Sequence, residues 1–139
     1  MTTRSSGFTL IELLVVVAIL GIISAIGIVS YNGYVGASKK KSAENIMMQI
    51  SLAQSEYYSD NDNYFFTRTC SITGKSDPSN EIEKELLGGA DVIVEKVGYE
   101  FCVEAFSDGY KIKTEEQDTS KPCIMTYTHK SVLYKNTNC

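Results

Sequence analysis

The chain has 139 residues, with 13 basic against 17 acidic side chains and a formal net charge of −4. That length sets one compact domain as the starting expectation. The acidic balance argues against a general nucleic-acid binder, whose surface would be basic.

In chain order, the first feature is Gly7-Phe8-Thr9-Leu10-Ile11-Glu12, which runs straight into LLVVVAILGIISAIGIVSY. From Leu13 to Val29 there is no charge and no proline, and Ser24 is the sole hydroxyl residue. With Phe8 to Ile11 the run nears the roughly 20 apolar residues that cross a bilayer as a helix. A secretory signal peptide has a shorter apolar core, about 7–15 residues, and an A-x-A-like cleavage site. No such site follows this run, which therefore reads as retained.

Glu12 is the anomaly of the stretch. A carboxylate within a membrane helix is costly, by roughly 2.5–3.5 kcal/mol at the helix centre. One reading makes it a first-turn residue, near water and favoured by the helix dipole. The other requires a cation, and Arg4 is the one nearby in the intact chain. A cut between Gly7 and Phe8 would place a new α-amine on Phe8, which is i to the i+4 of Glu12 on a helix and shares its face.

Beyond the apolar run, Ala43, Ile46, Met47, Ile50, Ala53 and Tyr57 recur at i+3 and i+4 and mark one apolar stripe. Ser42, Glu44, Asn45, Gln49 and Glu56 are expected to face elsewhere. Ser59-Asp60-Asn61-Asp62-Asn63 forms a turn, so one helix is predicted from about Thr9 to about Ser59. Its first half is apolar all round and belongs in lipid or among like helices; its second half is one-sided and packs on a domain. Lys75 to Asn80 reads as a loop. Asn80 is expected to cap a short helix through Leu87, stopped by Gly88-Gly89. Strands are predicted at Asp91–Val97, Tyr99–Phe106, Tyr110–Thr114, Ile124–His129 and Val132–Tyr134. Asp108-Gly109 is a hairpin signal, and the sheet is then antiparallel. Glu115-Glu116-Gln117-Asp118 and Lys121-Pro122 read as a polar loop. His129 reads as a surface strand residue, and Tyr57, Tyr58, Tyr64, Phe65 and Phe66 as core.

Four cysteines, Cys70, Cys102, Cys123 and Cys139, all follow the apolar run. No C-x-x-C pair exists and His129 is the only histidine, so a zinc site is poorly supported. In a small exported domain they read as disulfides, with three pairings open. No G-x-S-x-G, phosphate-cradling glycine loop or H-E-x-x-H occurs. The expectation is a chain with no catalytic residue, no cofactor and no metal.

RSSGFTLIELLVVVAILGIISAIGIVSY closely resembles the prepilin leader and N-terminal helix of type IV pilins and their relatives, the pseudopilins of type II secretion. The strong resemblance covers Arg4 to about Tyr31, and a weaker one extends to about Phe66. It implies that a prepilin peptidase cuts after Gly7 and N-methylates Phe8, and that Glu12 serves assembly by pairing with the terminal amine of a neighbouring subunit. It implies a C-terminal disulfide loop, Cys123–Cys139, which leaves Cys70–Cys102. One departure is Val29, where many members have proline; Gly21 and Gly27 remain as weak points, since glycine costs about 1 kcal/mol against alanine in a helix.

Topology holds a conflict. Lys39, Lys40 and Lys41 follow the apolar run, and the positive-inside rule alone would place them in the cytoplasm. The leader overrules this, because its peptidase acts on the cytoplasmic side.

The expected architecture is α+β, a long N-terminal helix with a small antiparallel sheet. Residues 1–7 would be the leader, 8–31 the membrane and fibre-core helix, 32–59 its amphipathic continuation and 60–139 the head. The resemblance implies a pilus subunit in homo-oligomeric fibres with other pilins, served by the peptidase and an inner-membrane assembly platform. It would be a single-pass inner-membrane protein with a periplasmic head before assembly, and extracellular afterwards. One alternative is a pseudopilin. Another is a minor pilin whose head binds DNA or a surface through Lys111, Lys113, Lys121, Lys130 and Lys135, against which scattered solubilising lysines weigh more, given the net acidity. In some pseudopilins acidic clusters bind calcium, but the spacing of Glu115, Glu116 and Asp118 fits a solvated loop better than a calcium loop.

Overall fold

The structure is a computed structural model and describes residues 7–70, 78–93, 97–117 and 119–139. The leader residues before Gly7, the loop expected at 75–77, and Asp118 lie outside the described residues. Two compact units divide the chain, Met1–Ser38 and Lys39–Cys139. Helix α1 spans Leu10–Asn61 without a break, through Gly21 and Gly27; it runs two residues past the expected end, so Ser59 to Asn61 are helical and only Asp62 and Asn63 of the expected turn lie outside it.

In the second unit, one face of α1 meets a four-stranded antiparallel sheet. Its strands are β1 (Tyr99–Phe106), β2 (Gly109–Glu116), β3 (Ile124–Thr128) and β4 (Leu133–Lys135), in the order β1-β2-β3-β4. The α+β organisation is the one the sequence pattern calls for. Alternation along the strands turns Phe101, Val103, Ile112 and Met125 inward, where they join Ala43, Ile46, Met47 and Ile50 of α1 in one apolar core.

Several sequence expectations need correction. Helix α2 spans Pro78–Glu85, so it starts two residues before Asn80 and stops before Leu87. Proline suits a first helical turn because its missing N–H has no partner there anyway. The exit is the glycine turn expected: Leu87 N–H donates to the Ile82 carbonyl and Gly89 N–H to that of Glu83, with Gly88 at φ 66° and Gly89 at 78°. Asp91–Val97 is not a strand among its described residues, and 94–96 lie outside them. Ile93 is buried, but its N–H donates to the Glu83 carboxylate at 2.6 Å rather than to a strand.

The β1–β2 hairpin turns at Ser107-Asp108, since Phe106 pairs with Gly109. Ser107 takes the positive φ, 54°. Gly109 instead opens β2, where a Cβ would lie 2.5 Å from the His129 ring. Glu115 and Glu116 end β2 rather than forming a loop. His129 sits just past β3, with its side chain only 15% exposed. Of the five aromatics assigned to the core, Phe65 is buried and Tyr57 and Tyr64 pack against it, while Tyr58 and Phe66 stay open to solvent.

Candidate functional site

The residues singled out by the sequence lie in two places. Gly7, Phe8 and Glu12 gather at the start of α1; the four cysteines lie in the second unit.

At the helix start, the Thr9 backbone N–H and its hydroxyl both donate to Glu12 Oε2, each at 2.8 Å, and the Glu12 N–H donates back to Thr9 Oγ1 at 3.3 Å. This is a capping box, in which two orphan donors of the first turn are satisfied reciprocally. Its signature, Thr9-Leu10-Ile11-Glu12, stands in the sequence, and a reading that looks only for a cation beside Glu12 passes over it. Phe8 is 87% exposed and precedes the box. In the uncut chain the Phe8 nitrogen is a peptide nitrogen and carries no charge, so Glu12 has the helix start as its company.

The large apolar side chains from Leu10 to Ile28 are exposed, and this part of α1 is long and apolar enough to cross a membrane. Ser24, the one hydroxyl in the run, donates to the Leu20 carbonyl at 2.7 Å, which removes the cost of an unpaired polar group in an apolar setting.

In the second unit, Cys70 is linked to Cys102 and Cys123 to Cys139, with Cα–Cα distances of 5.4 and 4.6 Å. Glu104 lies near the first pair, but sulfurs in a disulfide offer no thiolate to a metal. The chain end is fastened twice, since Lys40 of α1 also donates to the Cys139 carbonyl.

Glu44 corrects a sequence expectation: it is only 7% exposed, although the helical pattern turned it outward. Its carboxylate takes Lys135 Nζ of β4 at 2.5 Å and Lys41 Nζ at 2.8 Å. Burial pushes this carboxyl up, but the hydrogen bonds from Lys135 and Lys41 outweigh it and hold it below the usual carboxylate value. Gln54 is fully buried as well, its amide donating to the Phe65 carbonyl at 2.8 Å and accepting from the Phe65 N–H at 3.0 Å. Burial, then the charges of Glu116 and Glu44, push Tyr99 up to about 12.

Of the five lysines offered as a polyanion surface, Lys111 faces Glu104 at 2.9 Å, Lys113 faces Glu115 at 3.5 Å, and Lys135 is held by Glu44. Glu116 accepts from the Cys123 N–H at 3.1 Å and so closes the loop after β2. The two ring nitrogens of His129 face Asp108 at 3.7 Å and the Tyr110 carbonyl at 3.4 Å. These arrangements occupy Lys111, Lys113 and Lys135 in contacts within the unit, whereas Lys121 and Lys130 are exposed.

Residues 2–28 match the family described as the prokaryotic N-terminal methylation motif. The chain is similar to fimbrial protein EcpC of Eikenella corrodens, 50% identical over 54 residues, which are 39% of this chain and 35% of that protein. It is also similar to the type IV major pilin protein PilA of Myxococcus xanthus (strain DK1622), 41% identical over 61 residues, 44% of this chain and 28% of that one. The matches thus span about a third or less of these curated relatives. No solved structure matches the chain significantly.

Proposed function

We propose, from the premise that the methylation motif and the two relatives support a type IV pilin, that this chain is a structural subunit of a type IV pilus. It polymerises through α1 into an extracellular fibre with other pilins. The observation that carries the reading is the helix start: an exposed apolar surface from Leu10 to Ile28, with the Glu12 carboxylate beside the Gly7-Phe8 junction.

In this reading a prepilin peptidase cuts after Gly7 and methylates Phe8, and the precursor stays in the inner membrane with its second unit on the periplasmic side. An assembly platform then extracts it. Moving α1 from lipid to a bundle of like helices exchanges one apolar setting for another, so apolar burial gives little direction. Register must come from polar groups, and the Phe8 amine with Glu12 is the pair available near the start of the helix. The Cys123–Cys139 loop at the chain end supports a pilin over a secretion pseudopilin. Deleting the chain and imaging the cell surface tests the proposal: loss or thinning of fibres is expected, and an unchanged fibre population with failed protein secretion would favour the pseudopilin.

A further inference from the structure

Tyr31 and Tyr34 stand apart from most tyrosines of the chain. Tyr57, Tyr58, Tyr64 and Tyr110 are engaged in ring contacts, Tyr110 also meets Ser51 Oγ at 2.7 Å, and Tyr99 is buried. Tyr31 and Tyr34 are 67% and 74% exposed, and among the described residues neither side chain has a hydrogen bond or ring contact. Both lie on α1, where i and i+3 share a side.

Their distance from Glu12 gives them a role. At 1.5 Å per residue, Glu12 and Tyr31 stand about 28 Å apart along α1 and Glu12 and Tyr34 about 33 Å. The hydrocarbon of a bilayer is about 30 Å thick. No charged residue lies between Leu13 and Tyr34. A span with the Glu12 carboxylate at one water boundary therefore brings both tyrosines to the other. That boundary suits a tyrosine, whose ring is apolar and whose hydroxyl needs a wet partner.

We propose that Tyr31 and Tyr34 form an interfacial clasp that seats the helix in the bilayer before assembly, their rings at the acyl boundary and their hydroxyls bonded to phospholipid head groups and interfacial water. The clasp and Glu12 fix the depth of the span from opposite sides. The inference rests on the membrane-held precursor of the proposed function and adds which side chains hold the far end of the span.

The chain has no tryptophan, so one introduced tryptophan reports its own depth. Full-length Tyr31→Trp, Tyr34→Trp and, at mid-span about 15 Å from Glu12, Ile22→Trp are reconstituted in vesicles of phosphatidylethanolamine and phosphatidylglycerol. The vesicles carry bromine either near the head group or near the acyl-chain end, and iodide probes the water phase. At positions 31 and 34, quenching by the shallow bromine should exceed that by the deep bromine by about twofold, as for residues of an aromatic belt, with the order reversed at 22. Preferential deep quenching at 31 or 34 overturns the clasp. So does full access to iodide without quenching by lipid. If Ile22→Trp itself escapes lipid quenching, the membrane-held precursor fails and the clasp with it; normal mid-span quenching beside a failed pattern at 31 and 34 rejects the clasp alone.

Discussion

Replacing Glu12 with glutamine separates the two jobs that this side chain can do. In the structure its carboxylate accepts two hydrogen bonds from Thr9, both at 2.8 Å, and closes the capping box. Glutamine keeps an acceptor oxygen at the same reach, and a capping box accepts either residue, so the helix start is retained. What Glu12→Gln loses is charge. In the proposed fibre the methylated Phe8 amine then stands among apolar helices without its partner, and stranding one member of a buried ion pair costs about 3–5 kcal/mol. At 1.4 kcal/mol per tenfold, that weakens subunit addition by about two to three and a half orders of magnitude. Thr9→Ala is the reciprocal control. It removes the capping hydroxyl at about 1 kcal/mol and leaves the charge in place, so fibres should form at near wild-type yield. Both variants are expressed in a strain lacking the native copy, and cleavage, membrane level and sheared-fibre yield are compared. The expected result is a cleaved, stable Glu12→Gln precursor that yields few fibres. Normal fibres from Glu12→Gln, or an equal loss from Thr9→Ala, would show that Glu12 acts through the helix start alone and would refute the pairing.

Three further outcomes are expected. Intact mass of protein from sheared fibres should give a chain that begins at methylated Phe8; a chain that keeps Met1 to Gly7 would contradict the leader, and a bulky residue at Gly7 should leave uncut protein in the membrane. Non-reducing peptide mapping should recover Cys70–Cys102 and Cys123–Cys139. Removing the second bridge, of sequence separation 16, should cost roughly 3 kcal/mol in the chain-entropy model, and a Cys102–Cys123 peptide would overturn the pairing. Glu44 is held below the ordinary carboxylate value in the folded state, so its contribution is present above the unfolded-state value and is lost as pH falls through the folded one. Glu44→Gln should therefore destabilise the second unit near neutral pH by about 1–3 kcal/mol and flatten its loss of stability on acidification; an unchanged acid profile in thermal melts would remove Glu44 from that account.

The sequence by itself determined what is local. The absence of charge from Leu13 to Val29 and the 3.6-residue recurrence from Ala43 to Tyr57 specify one long helix whose character switches midway, because helical side chains a turn apart share a face. The Asp108-Gly109 hairpin signal and the strands expected around it marked β1, most of β2 and all of β3, since strands joined by a tight turn are also near neighbours in sequence. The capping box at Thr9 and Glu12 was equally legible, since both partners lie within one turn.

Tertiary structure decided whatever depends on residues far apart in the chain. Glu44 is buried because Lys135, at the other end of the sequence, reaches across to neutralise it. Gln54 is buried because the Phe65 backbone, past a turn, satisfies both halves of its amide. Gly109 belongs to a strand rather than to the turn, and His129, brought beside it by the pairing of β2 with β3, fills the space a side chain would need. Ile93 looked like part of a strand, yet its N–H is taken by Glu83. For Glu44 and Gln54 the pattern along the chain reports polarity, while burial is set by whether a distant partner removes the cost of leaving water.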